Sequence, residues 1–461
     1  MRPILKSIFI LLSFSTLNAT LVSTAFVQND LKLLEELDIK SSYITNYKLQ
    51  KELRKRLRAG QKKGYAQKLN NADLFIPQIK KILRENNIPS AFLYLVMAES
   101  NFILDASSNK KAKGLWQFMP LTAKHFGLET NKYIDERMDI IKSTNAAVSY
   151  LKKLHKMFGK WYLAAIAYNC GEGRVVEGIT RATIDMYCDD VGYKICRKDK
   201  KIKKFRDTIR LYHAKKAKYR DLNKIYNEVK KWKYKPDIDQ LLIVQPNIRR
   251  QYIPTESRRY IRKIISLAIM NNSDFLAKDE NIHLLNRGIS EPLATIDIKG
   301  GILLSSVATL IGLDNKRLKD LNLHIKKNVL PSLDKTYRLY IPYSKLARYN
   351  LNKDQLISKK YIQYRVKSGD SLLKISKKFG IDYKFIKKYN QLKSNNIMVN
   401  QDLLIPTDPY AKEDDVYTVK MGDTLSKIAN MYKIPLKKLI ETNHLKTTVI
   451  KVGEKVKIKY D

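Results

Sequence analysis

The sequence predicts a mainly α-helical protein of several domains that ends in two small β-α-α-β units. Three observations support this prediction. Apolar residues recur with helical spacing through most of the N-terminal and central chain. A C-terminal segment repeats itself after 53 positions. Finally, 461 residues are too many for one hydrophobic core, and an apolar content of 44% is sufficient for several folded domains.

The N-terminus has the pattern of a secretory signal peptide, which we assign to residues 1–19. Arg2 and Lys6 precede an apolar run, and small residues surround the candidate cleavage points after Ala19 and Ala25. No Cys stands at either point, so a lipoprotein anchor is not predicted. We therefore expect export to the periplasm or cell envelope. An uncleaved membrane anchor is the alternative, although the run is short for a membrane span.

The charge of the chain is strongly positive, because 88 Lys and Arg residues face 45 Asp and Glu residues, which leaves +43. Such a surface attracts polyanions. The sequence contains no zinc-finger spacing, basic zipper or aromatic RNA-binding motif, so nucleic acid is not a predicted partner. Electrostatic contact with anionic membranes or wall polymers fits the charge. A background of solvated Lys-rich faces explains it equally well.

The three Cys and six His residues show no metal-ligand spacing, so the sequence predicts neither a metal nor a cofactor. Cys188 and Cys196 lie eight positions apart and could close a small disulfide loop in an oxidising compartment. Cys170 would then remain a free thiol.

Residues 30–86 have a charged helical pattern and form a predicted N-terminal helical region. Residues 87–275 form the next predicted domain, in which apolar helices alternate with turns rich in Gly, Pro, Trp and Asn. A basic helical insertion at about 180–247 interrupts this domain, and an apolar helix at 260–270 is expected to return the chain to the first core. Two hypotheses for the insertion stay open: an electrostatic attachment surface, and a solvated helical lid held by a disulfide.

The C-terminal repeat covers residues 363–406 and 416–459. Each copy has a β-like stretch, a helix with apolar spacing of three and then four, a second short helix and a closing strand. Asp370 and Asp423 are expected to cap the first helix of their copies. The residues that coincide are Tyr364 and Tyr417, Val366 and Val419, Gly369 and Gly422, Asp370 and Asp423, Leu372 and Leu425, Ile375 and Ile428, Asn390 and Asn443, and Ile405 and Ile458.

These copies resemble the LysM module, a carbohydrate-binding family that recognises chains containing N-acetylglucosamine, such as peptidoglycan and chitin. Residues 293–343 resemble a third, degenerate copy that lacks the Gly-Asp turn and is not expected to bind sugar. The resemblance implies glycan-binding positions at Gly369, Asp370, Asn390, Gly422, Asp423 and Asn443.

A candidate catalytic acid lies in the stretch IPSAFLYLVMAESNF. This stretch predicts a helix that begins after Pro89 and ends near Asn101, so Glu99 falls in the last turn. The negative end of the helix dipole and the apolar neighbours both disfavour a carboxylate, so the pKa of Glu99 should be raised. A carboxylic acid that stays protonated can donate a proton to a glycosidic oxygen. From position alone, a Glu that faces solvent at a helix end is the more frequent case.

Further motifs follow in a fixed order, and with the Glu-Ser pair at 99–100 they resemble the lytic transglycosylases. The motifs are GLWQFMP (114–120), DER (135–137), STNAAVSYL (143–151), AAIAYNCGEGRV (164–175) and TESRRYI (255–261). The resemblance implies a lysozyme-like fold, peptidoglycan glycan strands as substrate, and Glu99 as the catalytic acid and base. It implies substrate contacts at Ser100, Gln117, Met119, Tyr168, Asn169 and Tyr260.

The chain departs from the family pattern at four points. Cys170 stands where a small Ala is usual, and Ser257 replaces Thr. The basic insertion separates the Tyr-Asn motif from Tyr260, and the lipoprotein Cys is absent.

Ordinary glycosidases use two carboxyl groups, and this sequence offers no convincing second one. Glu172, Asp135 and Glu136 are the nearest candidates, and the last two are expected to hold loops through ion pairs. The resemblance implies that the substrate supplies the nucleophile, and that Glu99 assists formation of a 1,6-anhydro-N-acetylmuramic acid (MurNAc) end. The alternatives are a hydrolytic muramidase on the same fold and a non-catalytic peptidoglycan-binding protein.

Overall fold

The computed structural model describes most of the chain from Gln28 to Ile458, and the predicted signal segment 1–19 and Ala25 lie outside the described residues. The chain divides into a helical unit, which runs up to Leu293 except for residues 132–134, and a C-terminal unit, which begins at Ala294. The described residues are 28–131, 133–246, 248–272, 276, 293–328, 330, 335–356, 361–390, 392–406, 415–419, 421–432, 435–443, 445 and 447–458.

The described part of the helical unit is built of α-helices joined by short turns. Two short 3₁₀ helices, Ser41–Thr45 and Glu136–Met138, lie among them. The α-helices are α1 Gln28–Glu36, α2 Tyr47–Arg56, α3 Ala59–Asn71, α4 Ile76–Glu85, α5 Phe92–Ser100, α6 Pro120–His125, α7 Ile140–Phe158, α8 Trp161–Cys170, α9 Glu172–Val191, α10 Tyr193–Lys198, α11 Lys200–His213, α12 Tyr219–Val229, α13 Ile238–Leu242 and α14 Thr255–Met270.

Helix α5 is the central helix of this unit, because nearly every side chain of its FLYLVMAES sequence is apolar and buried. A helix that is apolar on all sides is stable only when other helices surround it. Helix α14 packs along α5 and also contacts α2 and α8, as the sequence predicted for the apolar piece at 260–270. The charged N-terminal helices therefore contribute to the same core through α2.

Asn101 ends α5 in the left-handed conformation, with φ of 52°. Asn adopts this conformation more readily than most residues, because its short polar side chain can bond to nearby backbone. The helix therefore stops one residue after Ser100, and Glu99 occupies its last turn as predicted.

The basic insertion is folded into helices α9 to α13. Helix α12 packs on α9, and a disulfide between Cys188 and Cys196 connects α9 to α10. Glu177 of α9 is fully buried and forms ion pairs with several basic side chains. The insertion is thus fastened to the rest of the helical unit by apolar packing and by Glu177, which precedes it and pairs with its Arg181, whereas the disulfide joins two helices within the insertion.

The described C-terminal unit contains three β-α-α-β modules, each with one two-stranded sheet, and a further helix follows the closing strand of the first module. In the second and third modules the strands run antiparallel, with Tyr361 paired to Pro406 and Asp415 paired to Ile458. The modules are β1 Leu293–Lys299, α15 Leu304–Ile311, α16 Asn315–Leu321, β2 Thr336–Pro342 and α17 Leu346–Asn352; β3 Tyr361–Arg365, α18 Leu372–Phe379, α19 Tyr383–Tyr389 and β4 Asp402–Pro406; and β5 Asp415–Thr418, α20 Leu425–Tyr432, α21 Leu436–Thr442 and β6 Lys455–Ile458.

The predicted helix caps at Asp370 and Asp423 were wrong by one residue. Ser371 caps α18 by accepting a hydrogen bond from the Lys374 N–H at 3.2 Å. The Asp370 carboxylate instead accepts hydrogen bonds from the Tyr364 hydroxyl at 2.7 Å and the Lys367 N–H at 2.8 Å. The carboxylate is drawn away from the helix because the strand residue Tyr364 and the backbone N–H of Lys367 both donate to it.

An Asn side chain holds each module closed between its second helix and its closing strand. The Asn390 amide donates to the carbonyls of Ile386 and Leu404, and its oxygen accepts from the Leu404 N–H. Asn443 makes the same three bonds in the third module. Asn322 makes them in the first module, where it is completely buried. The module without a Gly-Asp turn therefore retains the internal bonding of the other two.

The predicted fold class, mainly α with small β-α-α-β modules, is confirmed. Across the described ranges, none of the helices combines the length and apolar character that crossing a membrane requires.

Candidate active site

The site is built around Glu99 in the last turn of α5. The carboxyl group is partly buried and accepts a hydrogen bond from the Tyr260 hydroxyl of α14. Among the described residues, Tyr260 is its only hydrogen-bond partner, so the second carboxyl oxygen is free of protein contacts of that kind. Helices α5 and α14 therefore position this acid together.

Burial raises the pKa of Glu99, as the sequence predicted. The hydrogen bond from Tyr260 and the positive charge of Lys263 oppose this rise, and the negative charge of Glu256 adds to it. Lys263 lies on α14 and donates to the Ala98 carbonyl at 2.7 Å, which fixes its ammonium group close to the acid. The balance leaves the protonated form of Glu99 favoured relative to a carboxyl group in water.

Tyr168 and Asn169 lie at the end of α8. The Tyr168 hydroxyl donates to the Trp116 carbonyl at 2.7 Å, and Glu99 contributes to raising the pKa of Tyr168 after burial itself. Asn169 accepts a hydrogen bond from the Ser257 hydroxyl at 2.7 Å. Ser257, which replaces the usual Thr, therefore supplies a hydroxyl that orients Asn169.

The turn from 106 to 119 is held in place by backbone contacts that only Gly permits. Gly114 has φ of 83°, and a Cβ atom there would lie 1.8 Å from the Arg137 carbonyl oxygen. Arg137 in turn donates to the Lys111 carbonyl at 2.9 Å and pairs with Asp135 at 2.8 Å. The Asp-Glu-Arg element therefore fixes this turn through ion pairs and backbone bonds, as predicted.

Three predicted contact residues differ in how they are placed. Met119 is 42% exposed at the end of the turn. Gln117 has φ of 48°, and its amide donates to the carbonyls of Ala106 and Gly114, so it holds the turn. The Ser100 hydroxyl is buried and donates to the Val96 carbonyl of its own helix, so the structure does not bring it to the open side of the acid.

The other carboxyl groups named in the sequence analysis are engaged elsewhere. Asp135 pairs with Arg137, Glu136 pairs with Lys142, and Glu172 lies 3.4 Å from Lys153. Glu256, which the sequence analysis did not single out, is exposed in the first turn of α14 and acts on Glu99 through its charge.

Sequence reasoning also missed Lys263. Its position three residues after Tyr260 puts both side chains on one face of α14, which is the signal that could have identified it.

The LysM positions predicted to contact glycan are used within their own modules. Asp423 accepts from the Tyr417 hydroxyl at 2.6 Å, as Asp370 does from Tyr364, and both Asn residues close their modules. Gly369 and Gly422 have φ of 81° and 83°, and a Lys of the following helix donates to each of their carbonyls. These residues therefore shape the modules, and their contact with glycan stays a prediction.

Comparison with protein families gives three matches along the chain. Residues 77–184 match the transglycosylase SLT domain. Residues 292–357 match the LysM-like domain of the lytic transglycosylase MltD, and residues 364–406 and 417–459 match the LysM domain.

Individual relatives match different shares of the chain. Over 395 residues the chain is 25% identical to membrane-bound lytic murein transglycosylase D of Escherichia coli K12, which covers 81% of this chain and 74% of that protein. It is 39% identical over 110 residues to a putative tributyltin chloride resistance protein of Alteromonas sp., covering 24% and 53%. It is 42% identical over 106 residues to the probable peptidoglycan endopeptidase LytE of Bacillus subtilis, covering 21% and 32%.

If Glu99 acts as an acid, the alkaline limb of the pH profile reports its pKa. Activity should fall as pH rises through that pKa, because the carboxylate cannot donate a proton. Tyr260→Phe removes a hydrogen bond that lowers the pKa, so the limb should move to higher pH. Glu256→Gln removes a negative charge that raises it, so the limb should move to lower pH. The measurement is kcat/KM against pH for both variants and the unchanged protein. Shifts of both variants in the same direction would contradict this assignment.

Proposed function

We propose that this chain is a lytic transglycosylase of the bacterial cell wall. It joins a transglycosylase SLT domain to LysM modules that bind peptidoglycan. The proposed reaction cleaves the β-1,4 bond between MurNAc and N-acetylglucosamine (GlcNAc) and leaves a 1,6-anhydro-MurNAc end. The observation that carries the proposal is the partly buried Glu99, held by Tyr260 and with a raised pKa, inside an SLT domain.

In the proposed mechanism, Glu99 first protonates the oxygen that leaves C1 of MurNAc. The N-acetyl group of the same sugar stabilises C1 as that bond breaks. Glu99, now a carboxylate, then accepts the proton of the C6 hydroxyl while that oxygen attacks C1. One residue serves as acid and then as base, and no water is consumed.

The placement of Tyr260 and Lys263 supports both halves of this cycle. Both lower the pKa of Glu99, which stabilises the carboxylate formed after the first proton transfer. Burial has the opposite effect and favours the acid needed at the start. Because these opposing effects act together, neither the acid nor the carboxylate form of Glu99 is strongly disfavoured. The same group can therefore donate a proton and later accept one.

The remaining site residues have supporting roles in this proposal. Asn169 and Met119 contact the sugars, and Tyr168 lines the site opposite Glu99. Gln117 acts by holding the 106–119 turn, since both amide protons are bonded to backbone. Ser100 has no direct contact with substrate in this proposal, because its hydroxyl is bonded within α5.

We also propose that the chain is exported to the periplasm by residues 1–19 and works as separate modules. In this division, residues 30–86 support a catalytic domain at 87–275, 293–343 form a LysM-like spacer, and the LysM modules at 363–406 and 416–459 hold glycan. The name of the Escherichia coli relative, a membrane-bound murein transglycosylase, supports the envelope location.

The direct test is mass spectrometry of the soluble products from purified sacculi. Anhydro ends, one water lighter than reducing ends, are expected. Reducing MurNAc ends would instead identify a hydrolytic muramidase, and an absence of products would identify a binding protein.

Glu99→Gln should reduce kcat by about 10²–10⁴-fold, because the amide is not a comparable proton donor. Glu256→Gln is the matched control, since it removes a carboxylate on α14 that acts on Glu99. Thermal unfolding should be the same for both variants and the unchanged protein. An equal loss of activity in both would indicate a two-carboxylate mechanism instead.

Deleting residues 363–461 should weaken attachment to insoluble peptidoglycan by at least about tenfold and leave cleavage of short soluble glycans nearly unchanged. Two linked modules raise the local concentration of the enzyme on a polymer without changing its chemistry. Co-sedimentation with sacculi measures the first effect, and turnover of soluble glycans measures the second. Removal of residues 416–461 alone should give intermediate attachment. Equal sedimentation of all three chains would refute this role.

For the basic insertion we propose electrostatic attachment to anionic wall polymers or membranes. Its exposed lysines include Lys194, Lys198, Lys203 and Lys204. Replacing these four by Gln should weaken binding to anionic vesicles and sacculi at low salt. The difference should shrink at physiological salt, where the Debye length is about 8 Å.

The matched control replaces four exposed lysines outside the insertion, namely Lys51, Lys55, Lys63 and Lys156. It changes the net charge equally, so equal losses in both variants would assign the effect to total charge. The insertion would then act as a folded lid without an attachment role.

A further inference from the structure

A cavity of about 500 Å³ lies at the start of α14, the helix that carries Tyr260, and no acidic side chain lines it. It is lined by Arg174, Arg249, Arg250, Gln251, Pro254 and Thr255. Arg groups bind carboxylates well, because the planar guanidinium presents paired N–H donors in the geometry of the two carboxyl oxygens. The composition of this cavity is therefore that of an anion site.

The positive charge of this region exceeds what its buried carboxylate requires. Glu177 is fully buried and pairs with Arg174 at 2.8 Å, Arg250 at 2.5 Å and Arg181 at 3.4 Å. Three guanidinium groups thus face one carboxylate. Compensation of Glu177 explains part of the cluster and leaves an excess of positive charge.

Arg249 adds to this excess of positive charge, because it does not pair with Glu177. Its side chain is exposed, and it has no ion-pair partner among the described residues. Arg250 bonds Glu177 through Nε and Nη2, and Arg174 bonds the Gln251 carbonyl through Nη2. The cavity wall is therefore rigid on one side, where Glu177 fixes two Arg residues, and offers Arg249 to a ligand on the other.

The cavity lies within reach of the reacting sugar. Thr255, which lines it, starts α14, and Tyr260, which bonds Glu99, follows five residues later, about 7.5 Å along the helix axis. Ser257 between them bonds Asn169. An extended peptide residue spans about 3.5 Å, so two or three residues of a stem peptide bridge this distance. A free lactyl carboxylate is shorter and reaches the cavity when the MurNAc ring itself lies between Tyr260 and Thr255.

We propose that the Arg174, Arg249 and Arg250 cavity binds a carboxylate carried on the lactyl substituent of MurNAc. This inference rests on the proposed function. Two sources share the chemistry: the carboxylates of the stem peptide, and the lactyl carboxylate itself where an amidase has removed the peptide. In both cases the enzyme favours glycans that carry negative charge beside the scissile bond.

The test compares kcat/KM of the full-length protein on three soluble glycans of equal length. The first carries stem peptides, the second has free lactyl carboxylates, and the third has those carboxylates converted to neutral methylamides. Arg249→Gln should lower kcat/KM about tenfold on a carboxylate-bearing glycan relative to the neutral one. Arg249→Lys should lose less, since it keeps the charge but not the paired donors.

Arg54→Gln on α2 is the matched control, because it removes an exposed guanidinium outside the cavity. A loss confined to peptide-bearing glycan supports the proposal and assigns the stem peptide, and a loss confined to free lactyl glycan supports it and assigns the lactyl group. An equal loss on all three glycans, or no loss with Arg249→Gln, overturns the carboxylate site while the proposed function stands. Failure of the unchanged protein to cleave any of the three would overturn both.

Discussion

The hydrogen bond from Tyr260 to Glu99 joins residues that are 161 positions apart, and the helical unit is organised to form it. Glu99 gains a raised pKa only because α5 is enclosed, and α14 is the helix that completes the enclosure. The same helix carries Tyr260 and Lys263, which limit the increase in the pKa of Glu99. The burial that raises the pKa of Glu99 and the two side chains that lower it therefore come from one packing contact. The acidity of Glu99 and the stability of the core depend on the same pair of helices.

The contact between α5 and α14 also requires the insertion to be folded, because the insertion separates α8 from α14 along the chain. A long basic segment would make the return of α14 entropically costly if it were unfolded. The buried carboxylate of Glu177 opposes this unfolding. Burying Glu177 without partners would cost several kcal/mol, so it is stable in the interior only while its Arg partners surround it. Arg250 lies only five residues before Thr255, so the ion pairs that fold the insertion also direct the chain into α14. The excess of Arg left in the adjacent cavity follows from this arrangement.

Local features of the site could be predicted from the sequence, and those set by distant segments could not. The position of Glu99 follows from the apolar helix pattern and the stop at Asn101, both contained in fifteen residues of sequence. The effect of Lys263 on Glu99 depends on how α14 crosses α5, which no local pattern states. The capping prediction for Asp370 failed for the same reason, because a strand residue, Tyr364, competes for the carboxylate.

The charge of +43 illustrates why composition alone was ambiguous about function. Exposed lysines on α10 and α11 act through charges that salt screens, so each contributes little to binding and their contributions add. The arginines beside α14 are different, since Glu177 and the Gln251 carbonyl hold two of them in fixed orientations at the wall of a cavity. Fixed donors lose less entropy when a carboxylate binds, so a few oriented arginines select among ligands where many free lysines only attract them. The sequence shows the number of charges, and the fold determines which of them can discriminate between substrates.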